Sequence, residues 1–311
     1  MTYFYIVIQQ IGVFVIYALI GVLALKLKVV SQEGLEWISR LVIKILLPLM
    51  IFTNTINGAT REDFLASLPL LYATAIMYFL VFFLTKGLTR LAGLKGNEKN
   101  SYHACSMFGN IGFMGIPLIS ALIPEKGMLY VALFTVVDQL VLWTVGLTLC
   151  FPVEGGKKLS PKETALKMIN PNTVGILLAM FFVLTGLKLP TVINTALTKT
   201  GAAATPLAMI YLGGLFCSVN FKESLLRKEF YLTILVKMIA FPVLFYRLIA
   251  YLPGMNSDMC LVMAVVTAVP TMTSIPMLIK AQHSAGEYAA GMVFVTTVCS
   301  IISIPIVCLL L

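Results

Sequence analysis

The chain is poor in charge: of its 311 residues, 11% are Asp, Glu, Lys or Arg, against 59% that are hydrophobic. With a mean hydropathy of +0.98 it has too little polar surface to cover a water-soluble globule of this size. Lipid is therefore the expected solvent. The chain also lacks the short alternating segments of a membrane barrel. Its apolar residues come instead in runs of about 20, the length of a helix across a bilayer. Lipid offers backbone amides no partner, so such runs must be helical.

Further absences exclude further classes. The six cysteines (Cys105, Cys150, Cys217, Cys260, Cys299, Cys308) lie in or at the ends of apolar segments, and none has CxxC spacing. Neither a disulfide framework nor a metal knuckle is indicated. The two histidines, His103 and His283, carry no supporting ligand pattern, so no metal site is expected. There is no HExxH, no carboxylate pair at helical spacing within one span, no nucleophile near a histidine and no soluble nucleotide-binding segment. An enzyme is not expected, and no catalytic residue or cofactor is assigned. The net charge of +9 does not point to nucleic acid, because the Lys and Arg residues are scattered through short hydrophilic breaks.

Ten spans are expected, near 5–25, 36–57, 67–89, 101–122, 128–151, 171–187, 195–217, 229–251, 258–279 and 288–310. The run from Tyr3 to Leu25 has no basic residue before it and is too long for a signal-peptide core, so it reads as a retained first span. Fourteen of the 22 basic residues fall in the odd-numbered loops and four in the even-numbered ones. Lys and Arg near span ends tend to stay cytoplasmic, which places both termini outside the cytoplasm of a cell membrane. The most hydrophilic connection, Pro152 to Lys167, then faces the cytoplasm.

An internal repeat runs through the chain at an offset of about 159. Gly115-Ile116-Pro117-Leu118 recurs as Ser274-Ile275-Pro276-Met277, Gly127 recurs as Gly286, and Pro48 has a counterpart in Pro206. The division is a five-helix repeat over 1–151, a linker over 152–170 and a second repeat over 171–311. Each unit holds an odd number of spans, so the second must cross the membrane upside down relative to the first. The expected fold is all-α and polytopic, a 5+5 inverted repeat with broken, crossing helices four and nine.

Those two helices carry matching lesions. In span four, Phe108 to Pro117 includes Gly109, Gly112 and Gly115 ahead of the proline. In span nine, Pro270-Thr271-Met272-Thr273-Ser274-Ile275-Pro276 places hydroxyls where span four has glycines. Proline removes an amide hydrogen and clashes with the preceding turn, and glycines lower the cost of unwinding. Unwound backbone is tolerated at membrane depth only where it is buried or lines a polar cavity, so the two breaks should meet at a shared site. The half-helices beyond each break offer free amides and a positive dipole end, and those before it offer free carbonyls. An anion and a coupling cation, H+ or Na+, could be held there. Ordinary proline kinks in packing helices are the alternative.

The run Gly109-Asn110-Ile111-Gly112-Phe113-Met114-Gly115-Ile116-Pro117-Leu118 resembles the Gly-Asn-Thr-Gly-Phe-x-Gly-Ile-Pro-Leu signature of the auxin efflux carrier family. That family includes plant auxin exporters and bacterial permeases for malate and related acids. The resemblance extends over the whole chain, and the short central loop is similar to that of the bacterial branch. It implies carrier-mediated movement of a small organic anion by alternating access, with Asn110 contacting the substrate carboxylate. The substrate-site candidates are Asn110, Gly112, Gly115, Pro117, Thr271, Thr273, Ser274 and Pro276. In one respect the chain departs from the family's plant members: Val269, not an amide-bearing residue, stands seven residues before Pro276. A channel or a transport-inactive sensor of the same fold is the alternative. The implied partners are the organic anion, the lipid bilayer and a second copy of the chain in a homodimer.

A charge inside a span is a functional candidate by default. Asp138 lies about eleven residues into span five, near the midplane at a rise of roughly 1.5 Å per residue. It reads either as a carboxylate that couples transport to H+ or Na+ or as a structural partner for a buried lysine. Lys44 and Lys237 either snorkel to the surface or pair with Asp138 or attract the substrate. Gln139 is a further candidate for lining the path.

Overall fold

The computed structural model describes residues 2–153, 169–217 and 221–311. Most of the 152–170 linker, with its cluster of lysines, lies outside the described residues. Among those described there is no strand, and the elements are helices throughout. Among the described residues five helical stretches are long and apolar enough to cross a membrane: Phe4–Lys26, Arg61–Leu91 (with a turn at 67–68), Gly127–Cys150, Lys228–Ile249 and Gly286–Leu310. Shorter apolar helices follow at Ile111–Leu122, Pro171–Thr185 and Ser257–Ala268.

In chain order the helices are α1 (Thr2–Lys26), α2 (32–58), α3 (Arg61–Ala66), α4 (Pro69–Leu91), α5 (Gly96–Met107) and α6 (Ile111–Leu122). They continue as α7 (Gly127–Cys150), α8 (Pro171–Thr185), α9 (191–216, with a turn at Ala203) and α10 (Phe221–Leu226). The last are α11 (Lys228–Ile249), α12 (Ser257–Ala268), α13 (Ser274–Ala281) and α14 (Gly286–Leu310). Local chemistry sets many of the ends. Ser31 Oγ accepts from Gly34 N at 3.0 Å to start α2. Asn170 Oδ1 accepts from the amides of Asn172 and Thr173 at 3.1 Å, with Pro171 in the first turn of α8. That helix stops at Thr185 because Gly186 takes a left-handed conformation, φ 69°.

Among the described residues four helices contain a wide π turn: Val42–Leu46 in α2, Ile111–Gly115 in α6, Leu142–Gly146 in α7 and Ile234–Ala240 in α11. Three of them have a common cause. Pro48, Pro117 and Pro242 each follow such a turn, and a proline ring collides with the carbonyl four residues earlier, at Lys44, Phe113 and Met238. Widening that turn by one residue relieves the collision without ending the helix. The fourth holds Gly146 against the Phe108 ring, where a Cβ would sit 2.7 Å from ring carbons.

The chain packs as two compact units, each drawing on both halves of the sequence. One comprises Met1–Leu70, Gly112–Val136 and Ile169–Ser218. Here α9 lies along α1 at very short range. A Cβ on Gly213 would fall 1.9 Å from the Ala18 carbonyl oxygen, and one on Gly21 would fall 2.0 Å from that of Ile210. With no hydrophobic gain from pairing helices in lipid, such close backbone approach is what dispersion forces need. The outward face of α1, with Ile16, Leu19 and Leu23 exposed, is apolar. α2 packs against α8 and α9, and at its end Asn57 and Asn194 exchange side-chain amide hydrogen bonds of 3.3 and 2.9 Å. A capping box of Thr60 and Asp63 opens α3, and Lys126 reaches the same carboxylate at 2.6 Å.

The other unit comprises Leu71–Ile111, Val137–Met168 and Val219–Leu311. Its core helix is α14, whose buried face meets α5, α10, α11, α12 and α13. A string of hydroxyls ties α5 to α11: Ser106 lies 3.0 Å from Thr233, which donates to Tyr102 at 2.8 Å, which donates to the Glu229 carbonyl at 3.0 Å. Nearby, Arg227 forks onto Glu98 at 3.2 Å through both terminal nitrogens, reaches Glu223 at 3.4 Å and lies 3.8 Å from Glu229.

Candidate functional site

The two lesions expected from the sequence are real breaks, and they meet. α5 ends where Phe108 turns extended (φ −103°, ψ 126°), and α12 ends where Val269 does the same (φ −62°, ψ 151°). Gly109 then pairs with Thr271 as an isolated antiparallel bridge. Asn110 N donates to the Pro270 carbonyl at 2.7 Å, and Met272 N donates to the Phe108 carbonyl at 3.0 Å. Each break thus satisfies backbone groups that the other leaves open. The bridge also explains Gly109, since a Cβ there would stand 3.0 Å from the Val266 carbonyl oxygen and 2.7 Å from Val269 Cγ2.

The unwound stretch in span four is shorter than its glycines suggest. It covers 108–110, and α6 restarts at Ile111, so Gly112 and Gly115 lie in its wide first turn and Pro117 just beyond. Pro117 has no amide to give the Phe113 carbonyl, and the wide turn before it accommodates the ring. In span nine the break covers 269–273, and Ser274 and Pro276 fall in the first turn of α13.

Within the second unit the structure gathers Asn110, Thr271, Thr273, Ser274 and Pro276 around the bridge. Asn110 is buried at 2% exposure. The Thr271 hydroxyl donates to the Cys105 carbonyl at 3.0 Å, and its amide donates to Thr296 Oγ1 at 3.2 Å, so this threonine fastens the break to α5 and α14. Gly112, Gly115 and Pro117 belong to the first unit, where Gly112 packs beside Leu47.

Asp138 and Lys237 are the two buried members of Asp, Glu, Lys and Arg among the described residues, at 4% and 3% exposure. They are not each other's partners. Asp138 accepts from the Tyr78 hydroxyl and from Gln139 Nε2 at 3.1 Å, and Gln139 Oε1 in turn accepts from Trp143 Nε1 at 3.1 Å. Lys237 Nζ donates to the Val269 carbonyl at 3.0 Å. Lys44 differs from both: it is exposed, at the edge of a cavity of about 550 Å³ in the first unit that Pro48, Asn170, Pro171, Gly175 and Leu197 also line. Among the described residues no three of His, Cys, Asp and Glu converge on a possible metal position.

Sequence reasoning overlooked Tyr78 as the companion of Asp138, and it overlooked a main-chain carbonyl as the companion of Lys237. Extending the offset of 159 would have flagged Tyr78, because it is the counterpart of Lys237.

Apolar helices long enough to cross a membrane, with two unwound breaks paired in the interior, define a membrane protein built on broken helices. A family model described as membrane transport protein, the family of the auxin efflux carriers, matches residues 5–308. The chain belongs to that family. No curated protein matches the chain.

Proposed function

We propose that the chain is a secondary carrier of a small organic anion, built from ten spans in two inverted five-helix repeats and working by alternating access. The observation that carries this reading is the bridge between Gly109 and Thr271. Within the second unit it brings together the carbonyl ends of α5 and α12 and the amide end of α13. Such ends hold ions of either sign at little cost in buried charge. Asn110 is the side chain for the substrate carboxylate, with Thr273 and Ser274 supplying hydroxyls from the facing break. Asp138, held by Tyr78 and Gln139, is the carboxylate through which an ion gradient acts. Both termini lie outside the cytoplasm of a cell membrane.

Helix correspondence supports the repeat. At the offset of 159, α7 maps onto α14, the wide turn of α2 before Pro48 onto the turn at Ala203 before Pro206, and the α5–α6 break onto the α12–α13 break.

Purified protein in liposomes should give saturable flux of small carboxylates. Asn110→Ala should abolish it while expression and melting behaviour persist; saturable flux that survives the substitution places the site elsewhere. Linear flux would make the protein a channel.

A further inference from the structure

The carbonyl end of α12 already has a cation. Val269 closes that helix, its amide turned back to the Val265 carbonyl and its own carbonyl pointing into the break. The last carbonyls of a helix lack amide partners and carry the negative end of its dipole. Lys237 Nζ stands 3.0 Å from that oxygen, delivered from the wide turn Ile234–Ala240 of the neighbouring helix. An ammonium is a compact point charge, closer to an alkali cation than a guanidinium would be.

The repeat sharpens the contrast. At the offset of 159, Lys237 corresponds to Tyr78, Val269 to Asn110, and Asp138 to Thr297. The first half therefore has a carboxylate and no built-in cation. The second half has a built-in cation and, where the first has its carboxylate, a neutral threonine. A mobile cation beside Val269 would find no acidic counterpart at the position matching Asp138, and the Val269 carbonyl already holds an ammonium.

We infer that the Lys237 ammonium is a tethered cation that fills the cation position of the second half, so that the carrier takes no sodium there. This rests on the proposed carrier reading.

The test is cation substitution on the wild type, on Asp138→Asn and, in that background, on Lys237→Ala and Lys237→Met. With Lys237 intact in an Asp138→Asn background, where the first half has no carboxylate for a cation, flux should be the same in sodium and in choline, and sodium should leave the melting temperature unchanged. In choline, Lys237→Ala should lose flux by at least about tenfold, the equivalent of one hydrogen bond to a charged group. Sodium, lithium or methylammonium should restore it and should raise the melting temperature of this variant alone. Sodium-stimulated flux in the Asp138→Asn background with Lys237 intact overturns the inference. So does a Lys237→Ala protein that no small cation restores in flux or melting, or a Lys237→Met protein as active in choline as its parent. If the wild type shows no saturable flux at all, the carrier reading fails. The cation-specific melting shift of Lys237→Ala then still decides whether the position binds a cation.

Discussion

Gly109 and Gly112 stand three residues apart in one signature, and the structure predicts opposite responses to the same added methyl group. On Gly109 the new carbon would press on a backbone carbonyl, that of Val266 at 3.0 Å, and on the fully buried Val269 side chain at 2.7 Å. Overpacking of this kind costs about 1–3 kcal/mol. If the bridge opens, the two hydrogen bonds beside it, Asn110 to Pro270 and Met272 to Phe108, are each worth about 0.5–1.5 kcal/mol net. Gly109→Ala should therefore destabilise the protein by roughly 2–6 kcal/mol. On Gly112 the methyl meets only the tip of Leu47, at 3.3 Å. There the gain of about 1 kcal/mol from replacing a helical glycine by alanine offsets the small shift, for a net change within about 1 kcal/mol of zero. Detergent-driven unfolding in mixed micelles would measure both. Trp143 lies in the unit that contains the bridge and Trp37 in the other, so a Trp37→Phe background makes fluorescence report on the former. Equal losses in the two variants, or a Gly109→Ala protein as stable as its parent, would refute the reasoning.

Three further outcomes follow from charge and packing. Asp138→Asn should leave saturable flux in place but remove its dependence on an imposed ion gradient, and unaltered dependence in a transport assay would make the residue structural. Lys126 and Thr60 both hold the Asp63 carboxylate, so Asp63→Asn should lower the melting temperature, and that loss should shrink in high salt. Arg227→Ala should cost about 1 kcal/mol or less, since its fork onto Glu98 is a third exposed, and the loss should shrink in high salt when melting is measured.

Much of the fold was legible because it depends on run length and on proline and glycine, whose backbone effects are local. Pro117 and Pro276 located the breaks, and the expected span 171–187 missed the end of α8 only by the two residues that the left-handed Gly186 removes. What stayed hidden depends on geometry between distant segments. Tyr78 and Asp138 are sixty residues apart in sequence. Lys237 finds a main-chain oxygen, which leaves no trace in residue types. The breadth of the span-four lesion was overread because three glycines look like unwinding, whereas one serves the bridge and two lie in a wide turn that a proline requires.

A contact made by main chain on both sides is indifferent to the side chains that hang from it. Between Phe108 and Asn110 on one strand of backbone, and Pro270 and Met272 on the other, Gly109 is the glycine at which an added methyl group would collide. If Asn110, Thr273 and Ser274 meet the cargo as proposed, each can be exchanged while the main-chain hydrogen bonds that clasp the two strands remain. The preference of such a protein for its cargo can then drift by single substitutions, without a passage through unfolded intermediates.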